Sequence, residues 1–513
     1  MAIIPQHPKD GHRPLGSMPQ SSRSSALLGG RLLAGNALWN LIGLAAPLLA
    51  AIVAVPDLVA VMGTDRFGLL GIIWVVIGYF SLFDMGLGRA LTKLMAERID
   101  RAPDRETIQL VWTALAALSA LGVLTAVFVF WVAHPLVGRV LNVPQSLISE
   151  GANSIRVLAI GIPFVVISSA LIGLLEAYQQ FRLIALVRVP LGIWTFVGPM
   201  ITVQFSSSLV LATAVLVLGR IAFTLGYFLL ARRVVVTLRT PTTPRLKWLS
   251  ALVSFGGWLS VSNIVGPIMV YCDRIFIAAM ISTAAVAYYI TPYEMVTRLA
   301  ILPQAVIGVL FPAIALAVSA DRARLAYIVR AAAGVIGFGM APIAAAIFLF
   351  APEALEVWLG VEFSSLGTPI ARLLAFGLLV NAVARLPVVL LQASGRPDKV
   401  AKLHLAELIP YLAILWYLID RFGISGAAMA WLIRVSVDAI GLILMGWNYF
   451  PSLRRMFVGC LVLLFGTGLL FAALTFVDEP ATKLALLSAI SAASMVMLVL
   501  HLKRLKGAGL NGH

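Results

Sequence analysis

Long apolar runs alternate along the chain with short polar stretches. Fourteen runs are long enough to cross a bilayer as helices, near 36–61, 67–89, 109–133, 154–175, 184–204, 208–231, 250–280, 285–317, 329–351, 369–393, 403–419, 423–447, 457–477 and 482–502. A helical crossing needs about 20 such residues. Barrel strands would alternate apolar and polar positions, and an open sheet would leave backbone groups unbonded in lipid. The pattern predicts an all-α polytopic membrane protein of about fourteen transmembrane helices.

The polar stretches test that count. On one side they run from the N-terminal tail through Lys93, Arg182, Arg232, Arg322, Arg396, Arg454 and Lys503, and they hold twenty-four Lys and Arg. The alternate stretches hold four: Arg66, Arg139, Arg421 and Lys483. Cytoplasmic loops carry the basic excess, so both termini are expected in the cytoplasm. The outer loops are expected to be short, the longest near 134–153 and 352–368, too small for a separate catalytic domain.

Composition agrees. Hydrophobic residues make up 61% of the 513 and charged residues 12%, with a net charge of +16. A soluble domain carries about twice that charged fraction. The positive charge sits mainly in loops, with no aromatic-interleaved basic patch, so it reads as topology and no nucleic-acid partner is expected. Cys272 and Cys460 lie in apolar runs, and the six histidines lack metal-ligand spacing. No phosphate-binding glycine loop and no defensible Ser-His-Asp order is present. No enzyme, metal or cofactor is expected.

A weak internal repeat divides the chain. Leu174-Leu175-Glu176-Ala177 closes span four, and Leu390-Leu391-Gln392-Ala393 closes span ten. Arg220 in span six corresponds to Arg434 in span twelve. Spans 1–6 and 7–12 are therefore expected to form two six-helix lobes as parallel repeats. The expected limits are a disordered tail 1–33, an N-terminal lobe 34–233, a basic linker 234–249, a C-terminal lobe 250–450, two additional helices in 451–502 and a tail 503–513.

Charges inside the spans are the candidate chemistry. A lone charge costs roughly 2.5–3.5 kcal/mol at a helix centre on insertion scales, so such residues face a protein interior or a watery cavity. Arg220, Arg298 and Arg434 lie roughly 15–21 Å from the outer ends of their spans, and Arg385 about 25 Å. Arg274 and Arg89 complete the set of candidate anion contacts. Arginine forks suit phosphate. The acidic candidates, for charge pairing or cation coupling, are Asp57, Asp84, Asp273, Glu294 and Asp438. Glu294 and Arg298 are spaced i,i+4 in the favourable order, and Arg434 and Asp438 in the weaker one. Asp273 and Arg274 are adjacent, so they should leave the helix on different faces and pair elsewhere. The plain alternative is that these are buried ion pairs fixing helix register. His134 and His404 read as interfacial.

The run Gly68 … Tyr79 … Phe83-Asp84-Met85-Gly86-Leu87-Gly88-Arg89 resembles the end of span two in Wzx-type O-antigen and polysaccharide flippases. These belong to the multidrug/oligosaccharidyl-lipid/polysaccharide exporter superfamily. Asp273-Arg274-Ile275-Phe276-Ile277 with Ala287-Tyr288-Tyr289 is similar to its passage from span seven to span eight. Leu302-Pro303 with Leu310-Phe311-Pro312, and Gly423-Ile424-Ser425-Gly426-Ala427-Ala428, also resemble the family. The resemblance covers about residues 34–450. It implies two lobes around a central cavity, alternating access, and a lipid-linked oligosaccharide carried on polyprenyl diphosphate in a bacterial inner membrane. It implies that Arg220, Arg298 and Arg434 contact diphosphate or acidic sugar, and that Asp57 takes a coupling cation. Membrane lipids and polysaccharide polymerase or assembly proteins are the implied partners. A cation-coupled multidrug antiporter of the same superfamily is the alternative, disfavoured by the basic lean of the deep charges. A glycan polymerase or ligase would need a larger outer loop.

Overall fold

The structure is a computed structural model that describes residues 30–82, 86–98 and 104–510. Its long elements are helices: α1 (Gly30–Leu82), α2 (Leu87–Ala96), α3 (Arg105–Pro135), α4 (Ile148–Ala177), α5 (Phe181–Val203), α6 (Leu209–Val234) and α7 (Leu246–Met280). They continue as α8 (Thr283–Thr297), α9 (Ile301–Ala320), α10 (Arg322–Leu359), α11 (Val361–Ala393), α12 (Pro397–Tyr449), α13 (Arg454–Leu474) and α14 (Pro480–Leu510).

Eleven helical stretches among the described residues are long and apolar enough to cross a membrane. Two of them each hold two crossings, because Gly63 (φ 77°) breaks α1 and Gly423 (φ 59°) breaks α12. Glycine takes this left-handed conformation without the Cβ clash of other residues. Beyond Gly423 the chain returns beside itself, with Arg434 against Tyr411 and Gly441 against Leu403. With α7 as a further long helix, the protein is a polytopic helical membrane protein whose number of membrane-length segments is close to the expected fourteen.

Three expectations need correction. Span two is not continuous to residue 89: α1 ends at Leu82, Gly86 is left-handed, and α2 starts anew. Span eight is interrupted by a 3-10 turn at Arg298–Ala300. Pro303 explains that break, since it cannot donate to the carbonyl of Leu299 and its ring crowds it. The two long outer loops are largely helical: α3 runs on into a π-helical turn at Leu136–Val140, and only Gly360 separates α10 from α11. At the basic face, polar residues cap the helix starts. Asp104 accepts from the amide of Thr107 at 2.7 Å, and Asp321 accepts from the amides of Ala323 and Arg324 at 2.9 Å.

The pairing order repeats along the chain. Helix α3 packs on α4 as α10 packs on α11, and α4 packs on α6 as α11 packs on α12. The matched tetrads end α4 at Ala177 and α11 at Ala393. Helix α14 docks on α10, where Lys483 meets Glu353 at 2.6 Å and His501 Nε2 lies 2.9 Å from the carbonyl of Arg330.

One apolar cluster spans both halves, running from Ala54 through Leu216 and Val286 to Leu442. Each half adds a cluster of its own toward the basic face. One cluster, with Leu91, Leu174 and Tyr227, belongs to the first half, and another, with Leu325, Leu390 and Phe457, to the second. The hydrogen bonds between halves follow the same division. Thr283 donates to Asp65 at 2.8 Å, Trp358 to the carbonyl of Ile52 at 2.7 Å, and the Asn142 side chain to that of Ile281 at 2.6 Å. At the basic face only the start of α7 reaches across, through Lys247 to Glu106 at 3.4 Å and Arg245 to Thr113 at 3.0 Å, among the described residues.

Gly68 is the tightest point of the joined side, since a Cβ there would lie 1.8 Å from the Thr283 carbonyl oxygen. Gly68→Ala is expected to force α1 off α8 and cost about 1–3 kcal/mol, read as a lower melting temperature in detergent. Gly266→Ala, where a Cβ meets nothing within 4 Å, should leave the melting temperature in place.

Candidate functional site

The deepest charges gather where α7, α8 and α12 meet. Asp273 and Arg274 are both fully buried. Against expectation they pair with each other: the Arg274 guanidinium donates to Asp273 Oδ1 at 2.8 Å, and the Arg274 amide donates to the same oxygen at 2.8 Å. The short carboxylate bends toward the next residue's amide, and the long arginine stem curls back to it. Adjacent residues on a helix leave at different angles, but this stem is long enough to cancel the difference.

Neighbouring helices complete the arrangement. Tyr289 of α8 donates to Asp273 Oδ2 at 2.7 Å. The Arg274 guanidinium also lies 3.5 Å from Glu294 Oε1 and 4.0 Å from the centre of the Tyr293 ring. Glu294 in turn takes Arg298 at 2.9 Å through Nη2 and 3.1 Å through Nε, the pair that the i,i+4 spacing predicts. Two carboxylates and two guanidinium groups therefore form a network of zero net charge. Two of the arginines expected to make the interior cationic are neutralised here.

Arg298 reaches the contact between the halves. Its guanidinium stands 5.8 Å from the Phe196 ring of α5. Both Glu294 and Arg298 line a narrow cleft with Leu48, Ile52, Trp74 and Phe196. This cleft has apolar walls and one ion pair at its edge.

Arg220 and Arg434 are not brought together. Arg220 lines a small apolar cavity with Val76, Phe80, Gly161, Val165 and Val217, all of the first half. Among the described residues it has no carboxylate within ion-pair distance. Arg434 lies 5.5 Å from the Tyr411 ring, with its Nε buried and unbonded. It does not pair with Asp438. Instead His404 Nε2 lies 3.3 Å from Asp438 Oδ1, without the alignment of a hydrogen bond. Arg385 of α11 is half-buried, its Nε also unbonded, within electrostatic reach of Asp438.

The remaining candidates lie apart from this centre. Arg89 is on the exposed side of α2, whose apolar side buries Leu87, Ala90, Leu91 and Met95. Asp57 is half-buried six residues before Gly63, about 9 Å from that turn at helical rise. Asp84 lies outside the described residues.

With the geometry in view, comparison with known proteins becomes informative. Residues 58–368 match the family described as polysaccharide biosynthesis protein. The chain belongs to that family. It is 29% identical over 414 residues to a Shigella flexneri protein named "Putative O-antigen transporter", across 81% of this chain and 97% of that protein. The fold is that of the lipid II flippase MurJ in its inward closed conformation, with a TM-score of 0.67 at 12% identity over 90% of this chain and 97% of that one. It is equally that of an inward-facing multidrug resistance MATE transporter of the MOP superfamily, with a TM-score of 0.65 at 17% identity over 81% of this chain and 99% of that one.

The sequence reading missed Glu407, which is 8% exposed, with neither carboxylate oxygen hydrogen-bonded. It also missed Tyr289, Tyr293 and Tyr411, the aromatic lining of the charged centre. A signal was present: His404, Glu407 and Tyr411 are spaced i, i+3 and i+7, one face of a helix, inside an otherwise apolar run.

The paired charges set a stability test. Asp273→Asn leaves Arg274 buried with its nearest carboxylate gone, at an expected cost of about 3–5 kcal/mol. Adding Arg274→Met should recover most of that loss, because the pair then leaves together. Melting temperatures of the single and double variants in detergent decide it.

Proposed function

We propose that the protein is a flippase. It carries a polyprenyl-diphosphate-linked oligosaccharide from the cytoplasmic to the outer leaflet of a bacterial inner membrane, with both termini cytoplasmic. The observation that carries this reading is the alignment with 97% of the length of a protein named as an O-antigen transporter. Membership of a polysaccharide biosynthesis family and the fold of a lipid II flippase support it.

The physical layout suits alternating access. One apolar cluster shared by the halves, with a further cluster in each, lets two halves, 34–233 and 250–450, rock about a basic linker at 234–249. Helices α13 and α14 ride on the second half. Arg220 offers a guanidinium that no carboxylate among the described residues neutralises, and Arg434 and Arg385 offer partly unbonded ones. A diphosphate passing between the halves would complete their hydrogen bonds. Arg274 and Arg298 serve mainly to hold α7, α8 and the cleft in place. The reading is transport without covalent chemistry, fed by the enzymes that build the lipid-linked glycan and drained by those that polymerise or assemble it.

A drug antiporter is the competing reading, since the MATE fold is shared. A cationic drug seated in the cleft needs a free acidic group there. Glu294, the carboxylate that lines the cleft, is already engaged by arginines.

The test uses purified protein in liposomes loaded with labelled polyprenyl-diphosphate oligosaccharide, and follows exposure to an externally added glycan-cleaving enzyme. Arg220→Ala and Arg434→Ala should each lower the flipping rate about 10-fold or more, as loss of a charge-assisted contact of roughly 1.5–3 kcal/mol requires. Membrane level should stay unchanged. Full activity in the double variant overturns the arginine site. Uptake of a cationic dye with no glycan exposure overturns the flippase reading.

A further inference from the structure

Glu407 lies in the first crossing of α12, ten residues in from Pro397, about 15 Å deep at helical rise. It is 8% exposed, and neither of its oxygens has a hydrogen-bond partner. Asp438 on the returning crossing is equally buried, and its Oδ1 is also unbonded. A bare carboxylate in such a place costs several kcal/mol, and the usual escape is to become neutral. Two carboxylates within each other's field make a shared proton still more favourable.

The surroundings are specific. Glu407 lies within the field of Asp438, His404 and Arg434. Arg385 of α11 is within reach of Asp438. From α7, Cys272 and Asp273 act on Tyr411, and Tyr293 of α8 acts on it as well. His404 is partly exposed and about 10 Å from the basic end of α12, so it stands between the basic face and Asp438. Titratable groups thus run in file: His404, Asp438, Glu407, Tyr411, then Asp273 of the neutral network. Two guanidinium groups beside the acids oppose any added cation, and a proton offsets that opposition by forming an O–H bond with a buried, unbonded carboxylate.

We propose that Glu407 and Asp438 form a proton-binding site, reached from the basic face through His404. A proton leaves the imidazolium Nε2 and forms an O–H bond on Asp438, and from there the pair shares it with Glu407. What that proton drives rests on the flippase reading, but the existence of the site does not.

The first test needs no substrate. Infrared spectra of the purified full-length protein should show a protonated carboxyl band that fades as pH rises, absent in Glu407→Gln and retained in Glu407→Asp. The sign of the stability change is fixed as well. A folded protein holding a proton that the unfolded chain has released at neutral pH loses stability as pH rises. The melting temperature of the wild type should therefore fall with rising pH, and Glu407→Gln should flatten that fall. His404→Gln should slow band loss after a pH jump without removing the band.

An unchanged band in Glu407→Gln overturns the proposal. So does a melting temperature raised by sodium at fixed pH and insensitive to acid. In liposomes, the ratio of glycan exposure with and without a pH gradient should fall to unity in Glu407→Gln. If wild-type protein exposes no glycan yet keeps the band, the flippase reading fails and the proton site stands.

Discussion

The cost of a charge in hydrocarbon governs this molecule. Arg274 is fully buried, and every feature around it answers that cost: Asp273 at 2.8 Å, Glu294 at 3.5 Å and the Tyr293 ring at 4.0 Å. The guanidinium is satisfied by groups from α7 and α8, which fixes how the two helices cross. Because Glu294 also holds Arg298, the same network extends to the cleft between the halves. Buried ion pairs are a poor source of stability compared with apolar packing. Their value here is geometric, since a rotated α8 would strand one of four charges.

That neutral network changes the meaning of the charges outside it. An interior with many arginines suggests a uniformly cationic cavity, yet the fold separates two classes. Arg274 and Arg298 are matched by acids on their own or the adjoining helix. Among the described residues Arg220 stands without one, and Arg434 and Arg385 have unbonded Nε atoms. Charge available for an anion is set by what remains after internal pairing, and that remainder lies in spans six, ten and twelve. It is divided between the halves, so a ligand touching both must wait until they present those sites to a common space.

Much of the fold was legible because the bilayer imposes a coarse rule. Apolar length gave fourteen crossings, and the basic loops gave their alternation. What escaped was set by short-range backbone chemistry. The left-handed Gly86 that ends span two and the 3-10 turn before Pro303 each depend on one or two residues inside a run whose hydropathy does not change. The helical outer connections escaped for a related reason: polar helix beyond the membrane has the same composition as a loop. At the site, i,i+4 spacing foretold Glu294–Arg298. It failed for Arg434–Asp438, where ring packing against Tyr411 and the approach of His404 from the paired crossing win over the local partner. Asp273 and Arg274 were misjudged because direction of departure was weighed and side-chain length was not.

The division of the core connects these local facts to motion. On the joined side, Gly68 lets α1 approach the α8 backbone, and Thr283 binds Asp65 at that point. Toward the basic face the two apolar clusters share no residue, and among the described residues the start of α7 ties the halves together. Helix α7 begins on the first half with Trp248 and Leu252 in its cluster, and ends in the second with Asp273 and Arg274. Any opening of the joined side must bend or swing this helix, since it is anchored in both halves. The charged network at its far end therefore lies on the element that connects the halves, so a change of charge near Asp273 and a change in how the halves meet act on the same helix.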